Sequence, residues 1–345
     1  MPLSNRYASL MTLLTIILAA ILLLLAVYTG LKAGKIHRRH APDGSFATVD
    51  GVKLHYHYFP ASGSGSGRPV LVFLHGASGN AYDTRLAFEE DCRGRFPVLF
   101  VDRPGLGHSQ RGTDAHVPPD GQARLIAGLL EQLEIDRAVI VGHSLAGAVT
   151  AALGLAAPER VKGLAFLAPV THVWPGGVTW YYTLAALPVI GWLFTWTLTL
   201  PVGERLAPAA MRNVFHPDAA PPDYASAIRL PLLFRPRSFR ANAEQICRVR
   251  ESVRAQAPRY PALTQPALVV TGTDDTVVWP SIHCEGLVRD LPDVELVILD
   301  RAGHMPHHTR TGDICAALDR LVRRVEARAD GESAAARERD EPLPA

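Results

Sequence analysis

Apolar and polar residues alternate in blocks along most of the chain, and twice the charged residues lapse altogether. The first lapse, residues 9–31, has no charge, and residues 16–27 are unbroken aliphatic and alanine. Twenty-three such residues are enough to cross a hydrocarbon core of about 30 Å as a helix. A cleaved signal peptide is the competing reading, but its apolar region is shorter, and Tyr28, Thr29 and Gly30 make a poor cleavage site. A single-pass anchor in the lipid bilayer is therefore expected over 9–31. Only Arg6 precedes it, whereas Lys32, Lys35, Arg38 and Arg39 follow, a bias that puts the rest of the chain on the cytoplasmic side. Export of a long domain despite such charges is the periplasmic alternative.

Beyond the anchor the pattern changes period. Residues 46–50 and 52–59 read as a hairpin turned at Asp50-Gly51. A Gly/Ser loop, 61–67, leads into short apolar runs of the buried-strand kind at 70–74, 97–101, 138–141, 163–167, 267–271 and 294–299. Helical stretches such as 122–133 and 145–157 lie between them. Strand and helix in alternation predict an α/β fold with a mostly parallel sheet covered on both faces. Nearly a hundred residues separate the fourth of these runs from the fifth, too many for a loop, so 170–266 is expected to be an inserted helical cap. The core is then split into 46–169 and 267–325. The charged, alanine-rich end, 326–345, reads as a disordered tail.

Composition narrows the function classes. Lys plus Arg number 35 and Asp plus Glu 33, a balance that gives no basic footprint for nucleic acid. Four cysteines, at 92, 247, 284 and 315, are too scattered for a disulfide scaffold and form no CxxC pair, so neither a redox motif nor a thiolate metal site is suggested. No cofactor and no protein partner are implied.

The chemistry sits where strands end. Residues 139–147, Val-Ile-Val-Gly-His-Ser-Leu-Ala-Gly, run from a buried strand through Ser144 into a helix. A serine on so sharp a turn needs small neighbours, which Gly142 and Gly147 supply; Ala146 stands where G-x-S-x-G has its second glycine. A serine that merely caps a helix is the plainer alternative. A nucleophilic serine needs a base, and the base an orienting carboxylate. His304 follows the strand 294–299, with His307 and His308 farther past the loop's glycine. Gly272-Thr273-Asp274-Asp275 follows the strand 267–271. No acidic residue occurs between 163 and 203, so the acid comes from Asp274 or Asp275. The strand 70–74 ends in His75-Gly76-Ala77, which would aim the Ala77 N–H at a developing oxyanion with the Leu145 N–H as second donor.

Taken together, His75-Gly76, Asp102-Arg103-Pro104-Gly105-Leu106-Gly107-His108-Ser109, Gly142-His143-Ser144-Leu145, Gly272-Thr273-Asp274-Asp275 and Gly303-His304 resemble the alpha/beta-hydrolase superfamily in content and order, across 46–325. The resemblance implies an eight-stranded, mostly parallel sheet with a helical cap. It also implies Ser144 as nucleophile, His304 as base and Asp275 as acid. The 102–109 loop looks like that of epoxide hydrolases and haloalkane dehalogenases, whose nucleophile is an aspartate; Ser144 points instead to ester, thioester or carbon–carbon bond hydrolysis.

The second uncharged lapse opens the cap. Residues 163–203 hold four of the five tryptophans, at 174, 180, 192 and 196, and no charge. Pro188 and Gly191 interrupt the run, and a second span there would split the sheet, so a greasy pair of cap helices is expected. Ordinary packing is one reading of it. The other is an apolar substrate slot involving Trp174, Trp180 and Trp192, with the cap resting on the bilayer. Arg235, Arg237 and Arg240 are candidates to meet a substrate carboxylate, a solvated basic face being the plainer account. The expected activity is hydrolysis of a small apolar acyl ester through an acyl-enzyme, by a carboxylesterase- or lipase-like serine hydrolase. Alternatives on the same scaffold are a carbon–carbon bond hydrolase, a cofactor-free perhydrolase or haloperoxidase, an acyltransferase, and a silent binding protein.

Overall fold

The computed structural model describes residues 3–61, 65 and 67–340. Three of the seven residues of the predicted Gly/Ser loop, Ser62 to Ser64, and its Ser66 lie outside the described residues, as do the last five of the chain.

Among the described residues eight strands form one sheet in the order β1-β2-β4-β3-β5-β6-β7-β8. β1 (Ser45–Val49) and β2 (Val52–Phe59) make the predicted hairpin, and Asp50 and Gly51 both take positive φ, at 50° and 71°, as its two-residue turn requires. β2 pairs antiparallel with β4 (Val98–Val101); every later pairing is parallel, through β3 (Val70–Leu74), β5 (Ala138–His143), β6 (Val161–Leu167), β7 (Ala267–Gly272) and β8 (Val294–Leu299).

Continuous apolar runs mark strands buried on both faces. In β3, Val70, Val72 and Leu74 enter one core layer and Leu71 and Phe73 the other. The first layer is closed by α3 (Pro119–Gln132), α4 (Ala146–Ala156) and α10 (Pro280–Asp290). The second is closed by α2 (Ala81–Cys92) and α12 (Thr311–Asp340). α12 runs on through the residues of the expected tail, from 326 to Asp340. Alanine, glutamate and arginine are strong helix formers, and a composition that lacks apolar residues is equally that of a solvated helix.

Between β6 and β7 the chain leaves the sheet and builds the cap: α5 (Trp180–Ala186), α6 (Val189–Phe194), a π turn (Thr195–Thr199), α7 (Leu200–Phe215), α8 (Tyr224–Ala227) and α9 (Pro236–Gln256). Pro188 breaks the uncharged run as expected, and α5 is bent by 111° against the helical stretch after it. Ahead of the sheet, α1 (Leu3–Arg39) contains the single helix among the described residues that is long and apolar enough to cross a membrane, Tyr7–Arg39. Residues 7–21 are exposed. A stripe at helical spacing, Leu22, Leu25, Ala26, Thr29, Ala33 and Ile36, is partly or wholly covered, and Ala33 and Ile36 belong to a core cluster with cap residues.

Candidate active site

The turn between β5 and α4 forces Ser144 to φ +53°, a conformation that costs a residue with a Cβ about 1–3 kcal/mol and persists only where its surroundings fix it. Three bonds do so: Ser144 N–H donates to the Leu167 carbonyl at 2.9 Å, and the Ser144 carbonyl accepts from Gly147 at 2.8 Å and Val170 at 2.9 Å. Gly142 is required for room. A Cβ there would stand 2.0 Å from Thr150 Oγ1 and 2.7 Å from the Ala146 carbonyl oxygen. Ala146 itself is wholly buried in the first core layer, so the turn accommodates its methyl group.

The ends of β7 and β8 bring the other predicted residues to the serine. His304 Nε2 lies 3.0 Å from Ser144 Oγ, and His304 Nδ1 lies 2.8 Å from Asp275 Oδ2. Asp275 Oδ1 accepts the backbone N–H groups of Val277 and Val278, both at 2.9 Å, which leaves one carboxylate oxygen aimed at the imidazole. Of the two aspartates the elimination left open, Asp275 is the buried one. Asp274 is half-buried and accepts from Thr273 Oγ1. With the proton on His304 Nδ1, Nε2 is free to accept from the serine hydroxyl, the arrangement in which a histidine serves as general base.

Ala77 and Leu145 sit side by side in one apolar cluster, and no acceptor among the described residues takes either N–H. The aim of the Ala77 N–H is set by Arg103, a wholly buried side chain. Its Nε donates to the His75 carbonyl at 2.7 Å and one terminal nitrogen to the Gly76 carbonyl at 2.9 Å, while the other reaches Gln122 and Gln245. Because C=O and N–H point opposite ways across a trans peptide, holding the Gly76 oxygen turns the Ala77 N–H away from Arg103. Burial lowers the guanidinium to about 9, so it remains a cation at neutral pH. Gln245 also donates to the Pro104 carbonyl, so one arginine ties the loop to cap helix α9. Replacing Arg103 with Lys, which has no planar fork, is expected to lower kcat about 10²-fold with KM within a few-fold, as measured by steady-state hydrolysis of a chromogenic ester. An unchanged kcat in a folded variant would refute the clamp.

Further residues, His143 and Asp102 among them quoted in the motifs without a role, support the same loops. His143 donates from Nε2 to the His304 carbonyl at 2.8 Å, so the residue before the serine steadies the backbone of His304. Burial, with His307 and His304 beside it, holds His143 well below the ordinary imidazole range. Asp102 receives His55 Nδ1, Ala81 N–H and His108 N–H, all at 2.7 Å; burial would raise it, but these bonds hold it down to about 2. Asp83 accepts Tyr224 Oη and His308 Nε2, each at 2.8 Å, and so joins α2, the cap and α11 (Pro306–Thr309), the short helix just after His304.

Two groups have the donor set for a metal ion, Asp83 with His307 and His308, and Asp43 with His55 and His57. In the first the carboxylate is already engaged as above. In the second Arg229 pairs with Asp43 at 2.8 Å and Arg85 approaches it to 3.9 Å, two cations set against a third.

Of the predicted substrate residues, Trp174 packs with Ala77, Leu145, Val170, Ile246 and Val249 beside the serine. Trp180 and Trp192 turn outward, 69% and 54% exposed, and do not line the site. An uncharged helix pair reads alike whether its aromatic face meets a pocket or the outside. Arg235 is committed to the Gly107 and Leu232 carbonyls and Arg240 to Glu244 and the Pro188 carbonyl.

Residues 71–318 match the model of the alpha/beta hydrolase family. A "2-hydroxy-6-oxononadienedioate/2-hydroxy-6-oxononatrienedioate hydrolase" of Paraburkholderia phymatum is 30% identical over 268 residues, covering 74% of this chain and 86% of that protein. Further relatives 28 to 30% identical carry the same name. The mouse sn-1-specific diacylglycerol lipase is 26% identical, covering 72% of this chain and 80% of its own. Among solved structures, a bacterial membrane phospholipase A superimposes with a TM-score of 0.62 at 20% identity, over 93% of this chain and 99% of that one.

Proposed function

The chain belongs to the alpha/beta hydrolase family and is a hydrolase, and from that membership we propose a membrane-anchored serine hydrolase that cleaves apolar acyl esters. In this reading Ser144 Oγ attacks the acyl carbon while His304 Nε2 takes its proton. The Ala77 and Leu145 N–H groups receive the oxyanion. His304 returns the proton to the departing alcohol, and water, activated by the same histidine, releases the acyl group from Ser144. Asp275 holds the imidazole in its tautomer and balances its positive charge. α1 is the anchor.

The observation that carries the ester reading is the cluster around the two oxyanion donors: Ala77, Leu145, Ala148, Val170, Trp174, Ile246, Val249 and Val253, all apolar. Such a cluster suits an aliphatic acyl chain, whose burial there costs no hydration of polar groups. A second reading is carbon–carbon bond hydrolysis, and the named relatives support it better than they support the ester. Cleavage between carbons expels a carbanion, which needs a conjugated electron sink in the substrate, whereas an alkoxide needs only the proton His304 can give.

Hydrolysis of p-nitrophenyl esters from acetate to octanoate, beside a 2-hydroxy-6-oxo-dienedioate, separates the two. The ester reading expects kcat/KM to rise at least tenfold from acetate to octanoate, with the dienedioate inert. Turnover of the dienedioate with negligible esterase activity would establish the second reading instead.

A further inference from the structure

The stripe by which α1 meets the body starts inside the apolar segment. Leu22, Leu25, Ala26 and Thr29 are covered, and all four lie within residues 9–31. Their partners are in the cap: α1 packs on the π turn Thr195–Thr199, and Lys32 pairs with Glu204 of α7. At 1.5 Å per residue, Leu22 to Leu31 spans about 13 Å of helix. Cap elements held against that length share the level of the span's own apolar residues.

What the cap exposes around them fits that level. Val189 is 78% exposed, and Ile190, Trp180, Trp192, Leu198 and Val202 are exposed as well. No Asp, Glu, Lys or Arg interrupts residues 163–203. Exposed apolar side chains gathered in this way, with Arg240 reaching only the Pro188 carbonyl among them, are unusual on a water-facing surface. Tryptophans among aliphatic residues are the composition of a membrane–water interface. The face also communicates with the site, since α5 carries Trp180 at its outer end and sets Tyr182 Oη 3.4 Å from Ser78 Oγ, next to Ala77.

We propose that the outer face of the cap is embedded in the leaflet that α1 enters, and that substrate reaches Ser144 from that leaflet as a bilayer-dissolved acyl lipid. The occupant is the bilayer because α1 brings it to this face, a premise that rests on α1 as the anchor. The ester reading supplies the reaction.

Full-length protein in phosphatidylcholine vesicles tests the surface directly. Brominated acyl chains quench tryptophan on contact, and the double variant Trp180→Phe/Trp192→Phe is expected to lose at least half of the bromolipid quenching. Equal fractional quenching in variant and wild type would overturn the proposal. So would efficient cross-linking of Val189→Cys to a second copy with no bromolipid quenching, which would assign the face to a dimer. Val189→Asp/Ile190→Asp, which alters only exposed side chains, is expected to cut hydrolysis of a vesicle-borne diacyl lipid at least tenfold. Its hydrolysis of soluble p-nitrophenyl butyrate should stay within twofold of wild type. Equal losses on both substrates would count against entry from the leaflet. Should wild type hydrolyse neither, the ester reading fails while the quenching still judges the surface.

Discussion

Ser144→Ala is expected to lower kcat for ester hydrolysis by about 10⁴–10⁶-fold while leaving the fold intact, and to abolish labelling by a fluorophosphonate. The fold should survive because Ser144 Oγ makes one bond, to His304 Nε2, and alanine keeps the backbone bonds to Leu167, Gly147 and Val170. Alanine at φ +53° bears the same strain serine does. Asp275→Asn is expected to cost about 10⁴-fold, because an amide can donate to His304 Nδ1 and so favours the wrong tautomer. If the three groups act as one device, as proposed, the two losses should not add: Ser144→Ala/Asp275→Asn should be no slower than Ser144→Ala alone. Labelling that persists in Ser144→Ala would place the nucleophile elsewhere, and a wild type that neither labels nor hydrolyses esters would favour the silent-binding alternative.

How much of this was legible beforehand depends on the range over which each feature is specified. Local rules were enough for the strands. β3 and β8 run over the predicted residues, and Asp50-Gly51 turns where its chemistry requires. The serine, the histidine and a pair of aspartates were legible because each lies within a few residues of a strand end, and the parallel sheet gathers strand ends. Choosing Asp275 over Asp274 needed the family resemblance; Asp275 is buried and lies at hydrogen-bond distance from His304. Arg103 stood in a quoted motif without a role. Its partners Gln122 and Gln245 are 19 and 142 residues away, so nothing local advertises that they converge beneath the Gly76 carbonyl. The cap is specified over a longer range: absence of charge at 163–203 does not say which way its aromatic side chains face, and Trp180 and Trp192 face outward.

The protein is expected to lose stability steeply as the pH falls from about 6.5 to 4, before its carboxylates titrate. The cause is buried imidazole. Burial, with the Arg103 cation beside it, lowers His75 to about 4, and burial with His308 beside it does the same to His307; both side chains are wholly inaccessible. Above pH 6.5 these groups are neutral in both states and contribute no pH dependence. Below 6.5 the unfolded chain takes up protons that the folded chain refuses, so each histidine removes roughly 1.4 kcal/mol per pH unit until its folded value is passed near 4. His75 and His307 together then remove roughly 2.7 kcal/mol per unit, against a total stability of about 5–15 kcal/mol. His57, His108 and His283, also lowered to about 4 chiefly by burial, add to the slope, though less each because they are not fully enclosed. Asp102 extends the loss at lower pH: held at about 2, it adds stability above the ordinary carboxylate range that disappears as the pH falls through 2. Denaturant unfolding of the detergent-solubilised chain, followed by tryptophan fluorescence at several pH values, measures the slope. His307→Gln should flatten it by about 1.4 kcal/mol per unit whatever its effect on stability at pH 7. A stability unchanged between pH 7 and 5 would mean that the unfolded chain gains no protons over the folded one, and that these imidazoles are not held neutral by the core.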